Sequence, residues 1–572
     1  MRRVLYKVFS GLGESKVRQI QADSHQPRQA QLAKLFQILR QNSTSRFGCE
    51  HKFEAISNWN EFDARVPVRD YEGFRPYIDR LAQGEKKVLT GEEPRMFATT
   101  SGTTDKPKFI PITPTYIKEF RNASVVSGYY LLKNFPGIAE GVVLSMTSPA
   151  EDGRTASGIP YGSISGLLFK NEPWLIKKFI SPVPYDAYLI DDYESKYYAI
   201  LRAALQLPVA LFYTLNPSTI QLLCRRLRTH AQTLIKDVHD GTISTPALLG
   251  KNALERFRQI THADPARARY LEGLLQREQF VPHQIWPTLS VVSCWTKAAA
   301  SFYLPDLHAY FGDVPICDIT YGASEGRGTV FLSPDKQMLA LHSHFFEFIP
   351  EEEINQEKPP VLLADQLEQG KNYFILFTTS GGLYRYNIND VVKVTGFHNS
   401  TPLIEFQYKG GNVFSFTGEK ITELQVVEAM KRVVAENRLK LRFFTLVPVY
   451  PTNEASASSD PFYELWLECD GPSIHGNSDV PRMEGSVHEL CRAFDDQLRS
   501  GNSEYELKRK SLRLQPVRGR LLNAGAYERI RRSLIEQGIP DAQIKISHLN
   551  PKQEVRVLLA DELMSCSAEL MT

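Results

Sequence analysis

Cysteine is scarce and scattered in this chain. Seven occur in 572 residues (Cys49, Cys224, Cys294, Cys317, Cys469, Cys491 and Cys566), and none forms a Cys-x-x-Cys pair. An odd, widely spaced set argues against a disulfide framework or a thiolate zinc site and fits a reducing compartment. No uncharged apolar run approaches the roughly 20 residues of a membrane helix. The start, MRRVLYKVFSGLGESK, is basic, but Lys7 interrupts its apolar run, so it does not read as a signal peptide. Neither sign of charge dominates: 67 Lys and Arg face 65 Asp and Glu, a net +2. Nothing there asks for nucleic acid or an anionic membrane. The expectation is a cytoplasmic, monomeric protein without nucleic-acid or membrane partners.

What is present is an ordinary globular balance, 42% hydrophobic and 23% charged, in a chain too long for one core. In QAQLAKLFQILRQN, Leu32, Leu35, Phe36 and Leu39 fall on one helical face. The runs GVVLSM, LPVALFY, LSVVSCW and VPICDITYGASE read as short buried strands, with helical stretches such as TIQLLCRRLRTHAQTLIKDV between them. Strands alternating with helices predict an α/β sheet with a large parallel component, whose ligands sit at the carboxyl ends of the strands. The texture changes near Gly418. ITELQVVEAMKRVVAENR is a helix pattern. LRFFTLVPVY and FYELWLECD are strand-like, and the polar PTNEASASSD between them reads as a hairpin loop. SVHELCRAFDDQLRS and YERIRRSLIEQG are helical. The division expected is 1–418 and 419–572, a large α/β domain with mixed sheets and helices and a small, mobile α+β domain.

Four segments carry candidate chemistry. In ATTSGTTDKPKFIP (residues 98–111), Ser101, Thr103 and Thr104 offer hydroxyl donors and Gly102 lets backbone N–H groups approach an anion. Lys106 and Lys108 add positive charge, but Asp105 opposes it. The loop is not a Walker A motif. Seen alone, it is as easily a polar surface turn. In DITYGASEGRG (residues 318–328), Tyr321 can stack on a flat base. Glu325 suits magnesium, a hard cation that favours carboxylate and phosphate oxygens. In GGLYRYNINDVVKVTGF (residues 381–397), Asp390 has two acceptor oxygens for a ribose diol, and Arg385 fixes the turn or neutralises a phosphate. Alone, these read more readily as a solvated glutamate and a turn aspartate paired with Arg385. In DAQIKISHLN (residues 541–550), Lys545 sits among apolar neighbours, as a lysine that meets developing negative charge or as one on a strand edge.

Taken in this order, the four segments resemble those of the adenylate-forming enzymes, and specifically the auxin-responsive acyl-acid amido synthetases of plants and their bacterial relatives. The opening loop is similar to the family's hydroxyl-rich phosphate loop. YGASE is similar to its Tyr-x-x-Ser-Glu motif, and YRYNIND to its Tyr-Arg…Gly-Asp motif. YERIRRSLIEQGIPDAQIKIS is similar to its closing helix and lysine segment. LRQNSTSRFG, RVPVRDYEGFRPYIDRLAQGE and FFEFIP extend the likeness over nearly the whole chain. Two residues depart from the pattern. Asp105 stands where many such enzymes have glycine, and Asn389 replaces the usual glycine before Asp390. Asn and Asp are the non-glycine residues most tolerant of left-handed backbone.

The resemblance implies an ATP- and magnesium-dependent ligase that joins a carboxylic acid to an amino acid through an acyl-adenylate. It implies that Ser101, Gly102, Thr103, Thr104 and Lys108 hold phosphates. Tyr321, Gly322, Ala323 and Ser324 would line the adenine and α-phosphate, with Glu325 on magnesium and Asp390 on the ribose. Arg385 and Phe397 are placed with the nucleotide-binding residues. Lys545 is implied as the catalytic lysine, delivered by a domain that turns about a hinge at residues 418–420. A synthetase that passes the adenylate to coenzyme A, or a nucleotide-binding pseudoenzyme, shares the same motifs.

Overall fold

The structure, a computed structural model, describes residues 2–100, 108–244, 251–410, 413–414, 419–437, 439–449, 461–469, 483–511, 514–539, 541 and 544–564. Val142–Ser145, Val209–Tyr213, Val291–Cys294 and Ile316–Asp318 pair in that order, every pair parallel. Strands of such sheets are covered on both faces and so read as continuous apolar runs. VALFY and VVSC are of this kind, and their residues are buried apart from Tyr213, which is half-buried. The helical stretch after the second strand is two helices, Pro217–Thr229 and Ala231–Asp240, separated at His230. Trp286, Phe212, Tyr188 and Leu223 centre the core around this sheet.

Beside the anticipated parallel sheet stands a larger six-stranded one. Its order is Phe345–Pro350, Asn372–Thr378, Tyr386–His398, Thr401–Lys409, Lys336–Leu339, Thr329–Ser333. The pairs of known register are antiparallel. A third, four-stranded sheet has the order Lys108–Ile112, Met96–Thr100, Pro160–Gly162, Gly153–Arg154. Helix Pro27–Asn42 lays Leu35, Ile38 and Leu39 on the core shared by these two sheets, with Leu32 and Phe36 at its margin.

The chain divides into two compact units, Met1–Phe406 and Gln407–Thr572. The second unit has an α+β texture. Leu441–Val449 and Phe462–Cys469 pair antiparallel, and Arg518–Leu521 adds in parallel to the latter. Helices Glu423–Asn437, Met483–Gly501, Ala526–Glu536 and Gln553–Asp561 belong to it. Phe443, Val447, Trp466, Ile530 and Leu559 form part of its core. The expected loop PTNEASASSD lies outside the described residues.

The antiparallel sheet contains a buried charge cluster where strand Tyr386–His398 begins. Arg385 donates from Nε to Glu347 Oε2 at 3.0 Å and from one terminal nitrogen to the carbonyls of Asp63 and Val66, at 3.1 and 2.9 Å. Its other terminal nitrogen lies 2.6 Å from Asp63 Oδ1. Trp59 Nε1 donates to the second oxygen of Glu347 at 2.9 Å. Burial raises the Glu347 carboxyl above its ordinary value, against the opposing pull of Arg385. Arg385 also holds φ at +49°, a conformation that costs a non-glycine residue of order 1 kcal/mol and persists only when its surroundings enforce it. Glu347→Ala removes the main countercharge while Asp63 remains. It should therefore destabilise the protein by about 3 kcal/mol, the low end for breaking a buried pair, read as a lower urea midpoint.

Candidate active site

The site begins where the parallel sheet ends. Asp318 closes the fourth strand and accepts hydrogen bonds from the Thr296 N–H at 2.9 Å and from Gln337 Nε2 at 2.8 Å. Burial pushes its carboxyl up to about 6, against these donors and Lys297. Gln337 in turn accepts from the Tyr321 N–H at 3.0 Å and from Thr329 Oγ1 at 2.9 Å. The chain leaving Asp318 is thereby fixed before it reaches the Tyr-Gly-Ala-Ser-Glu segment.

That segment is the tip of a tight hairpin. The Gly328 N–H donates to the Tyr321 carbonyl at 3.0 Å, Gly322 bridges Arg327, and the Ala323 N–H donates to the Gly326 carbonyl at 2.9 Å. Two glycines permit this closeness. A Cβ at 328 would sit 2.3 Å from the Tyr321 ring, and one at 326 would sit 2.6 Å from the Phe377 ring. The tip is also gripped from outside. Tyr116 donates its hydroxyl hydrogen bond to the Ser324 carbonyl at 2.9 Å, and the Arg327 N–H donates to His344 Nε2 at 3.0 Å. Burial, with Lys34 nearby, holds His344 well below the usual imidazole range. The ring is therefore neutral, and because Nε2 accepts, the proton sits on Nδ1.

Tyr321 joins this hairpin to the antiparallel sheet. Its hydroxyl donates to Asp390 Oδ2 at 2.8 Å, and its ring stacks on Phe406 with centroids 5.8 Å apart. Burial, then the charges of Asp390 and Glu325, raise the phenol far above its ordinary value, which keeps it a donor. Asp390 reaches Tyr321 through an irregularity in strand Tyr386–His398. The register jumps from Phe374↔Val391 to Leu376↔Asn387, and Asn389 takes φ +64°. Such bulges re-aim side chains, and asparagine supplies the left-handed residue expected of a glycine replacement. Glu325 is buried, and its charge raises the Tyr116, Tyr321 and Tyr386 phenols.

The other candidates are placed differently. Ser101, Gly102, Thr103, Thr104 and Asp105 lie outside the described residues. Flanking them, Thr100 pairs with Lys108 across an antiparallel ladder, and the Lys108 ammonium sits 5.2 Å from the centre of the Tyr71 ring. Arg385 is neither the partner of Asp390 nor offered to a phosphate. Its guanidinium is committed to Glu347 and Asp63 inside the core. Phe397 is 40% exposed, seven residues past Asp390 on the same extended strand. At 3.3 Å per residue that is roughly 23 Å away, so it is not brought to the Tyr321–Asp390 contact. Lys545 belongs to the second unit and is exposed between buried Ile544 and Ile546. The chain after it is anchored by Thr445 Oγ1 on the Ser547 carbonyl at 2.9 Å and by the His548 ring stacked on Phe444.

Asp318, Gln337, Tyr116, His344 and Phe406 were not singled out from the sequence. Asp318 was visible as the last strand residue before the motif. Tyr116 had no signal, because its partner lies 208 residues away. Gly328→Ala should displace the Tyr321 ring and break its bond to Asp390. The expected result is ATP affinity lowered about tenfold by calorimetry, the scale of one charge-assisted hydrogen bond. Gly11→Ala, where a Cβ meets nothing within 4 Å, should leave it unchanged.

The GH3 family N-terminal domain matches residues 16–316, the GH3 family central domain residues 337–409 and the GH3 family C-terminal domain residues 424–554. Indole-3-acetic acid-amido synthetase GH3.2 of Arabidopsis thaliana is 23% identical over 86% of this chain and 93% of its own length. Jasmonoyl--L-amino acid synthetase JAR4 of Nicotiana attenuata is 24% identical over 89% of each. Among solved structures, the AtGH3.15 acyl acid amido synthetase in complex with 2,4-DB shares the fold, with a TM-score of 0.81 at 21% identity and 96% of both chains covered. With its N-terminal family domain alone spanning more than half of the sequence and the other two following in order, the chain belongs to the GH3 family.

Proposed function

We propose that this protein is an ATP-dependent acyl-acid amido synthetase. It adenylates a carboxylic acid and transfers the acyl group to the amine of an amino acid. The observation that carries the reading is the Tyr321–Asp390 hydrogen bond, which joins the two nucleotide motifs across 69 residues of sequence. The relatives named above as amido synthetases support the same activity.

A carboxylate is a poor electrophile, so it must first be activated. One of its oxygens bonds to the α-phosphorus of ATP while the bond from that phosphorus to the bridging oxygen breaks, and pyrophosphate leaves with the electron pair. The amine nitrogen then bonds to the acyl carbon, the carbon–oxygen bond to AMP breaks, and the ammonium proton is lost. The protein aligns the reactants and neutralises charge. Residues 101–104 and Lys108 take the phosphates. Asp390 accepts from the ribose hydroxyls, with Tyr321 holding its carboxylate in place. The 322–324 backbone lines the adenine and α-phosphate.

The donor set fits a magnesium ion delivered with the nucleotide. Among the described residues no group of three or more His, Cys, Asp or Glu forms a cage. Magnesium is commonly held by one or two carboxylates together with phosphate oxygens and water. Glu325 is the residue that would hold it, and the ion would supply positive charge against phosphate oxygens.

Lys545, carried by the second unit, is the residue that meets the charge developing at phosphorus. Tyr463 donates to Glu419 Oε1 at 2.6 Å, and Asn502 Nδ2 donates to the Glu419 and Lys420 carbonyls at 3.0 and 3.1 Å. These bonds tie Glu419 and Lys420 to other residues of the second unit.

With ATP, magnesium and a panel of benzoic, indole-3-acetic, phenylbutyric and medium-chain fatty acids, at least one acid should stimulate pyrophosphate release. Mass spectrometry should then find its conjugate with an amino acid. No stimulation by any acid would overturn the reading, and a coenzyme A thioester in place of the amide would change the acceptor. Lys545→Ala should slow adenylation by about 10²-fold, the scale of one transition-state charge contact, with ATP affinity retained. Asp390→Ala should instead weaken ATP binding, and an unchanged ATP dissociation constant would remove its ribose role.

A further inference from the structure

Among the charged side chains around the hairpin, Arg327 stands apart. Lys34 pairs with Glu119, and Arg385 pairs with Glu347 and Asp63. Arg327 pairs with no carboxylate among the described residues. Its charged group is surrounded by the phenols of Tyr213 and Tyr116, and burial lowers it from its ordinary value. Its guanidinium carbon sits 5.1 Å from the centre of the Phe120 ring, and its buried Nε has no hydrogen-bond partner. Glu325, two residues away, directs its charge at Tyr116, Tyr321 and Tyr386. Arg327 is half-buried with its Nε wholly buried; a partly desolvated charge without a countercharge is costly, so this arrangement calls for an anion supplied from outside the chain.

The position says which anion. Arg327 is part of the nucleotide hairpin, and its backbone N–H is held from outside by His344. Its guanidinium reaches Tyr213, the last residue of the parallel strand Val209–Tyr213. In open α/β sheets the crevice at the carboxyl ends of the strands is where ligands sit. Phe120 and Tyr213 make the surroundings aromatic, which suits the carboxyl end of a mainly apolar acid.

We propose that Arg327 binds the carboxylate of the acyl acid before activation and holds it toward the α-phosphate. The proposal rests on the amido synthetase reading above. The amino acid also carries a carboxylate and could use the same chemistry, so the test separates the two. The acid's free carboxylate oxygen keeps partial negative charge while its partner oxygen attacks phosphorus, so the contact is made alike to the bound acid and in the transition state. Interactions of that kind act on KM more than on kcat.

The test compares wild type, Arg327→Met and Arg327→Lys in ATP–pyrophosphate exchange, with the acid that the panel shows to be the best substrate and no amino acid present. Losing one buried charge-assisted contact corresponds to about 10- to 100-fold. The Met variant should therefore raise KM for the acid by that factor, with kcat and the KM for ATP within about twofold of wild type. The Lys variant should recover part of the loss. The neutral primary amide of the same acid should inhibit wild type and Met variant equally. Without substrates, the Met variant should melt at or above the wild-type temperature, because it no longer desolvates a charge that has no countercharge. That measurement separates a lost ligand contact from a damaged fold. An unchanged KM for the acid overturns the proposal. So does an effect confined to the KM for the amino acid in conjugate formation, or one that falls on ATP instead. Exchange by the wild type tests the synthetase reading by itself, and only the difference between wild type and the Met variant tests Arg327.

Discussion

The hydrogen bond from the Tyr321 hydroxyl to Asp390 is the contact on which the site depends. It links a hairpin that leaves the parallel sheet to a bulged strand of the antiparallel sheet, two structures with separate sequences and separate reasons to form. A phenol on an ionised carboxylate contributes of order 2 kcal/mol, enough to set a side chain's position though small against the packing of two sheets. Much of the surrounding detail keeps those two atoms 2.8 Å apart. Gly328 clears the space beside the Tyr321 ring. Gln337 holds its N–H. Asn389, in the left-handed region, turns the strand so that the next residue faces inward.

The buried charges fall into two kinds. Arg385 with Glu347 and Asp63, and Lys34 with Glu119 and Ser380, pair each cation with a carboxylate. They fix where the 378–386 segment meets its neighbours. Desolvation costs both partners, so such pairs hold a geometry more than they add stability. Arg327 is of the other kind, a half-buried cation among aromatic rings and phenols with its Nε buried and unpartnered. The contrast between satisfied and unsatisfied charge separates supporting residues from binding residues here more clearly than the motifs do.

Several elements were legible from local pattern. The four parallel strands appear as short apolar runs, because both faces of such strands are covered. The helix at Glu423–Asn437 and the strands at Leu441–Val449 and Phe462–Cys469 also follow their periodicities. The six-stranded antiparallel sheet did not announce itself. FFEFIP and NYFILFT are almost wholly buried, so they lack the alternation that marks a half-exposed antiparallel strand. Sequence proximity misled at Arg385. It lies five residues before Asp390, yet its guanidinium turns to Glu347 and Asp63 while Asp390 meets Tyr321.

By itself, the sequence determined the motifs, their order, the backbone tolerance of Asn389 and the resemblance to a family of synthetases. These are properties of residue type and short-range spacing, which act through φ/ψ preference and hydrophobic period. Only the tertiary structure decided which charges are already spoken for. A guanidinium is indistinguishable in sequence whether it ends on a glutamate, as Arg385 does, or among phenols, as Arg327 does. The partner is chosen by packing between elements that are distant in the chain, and it decides how much of the desolvation cost of a buried charge is offset.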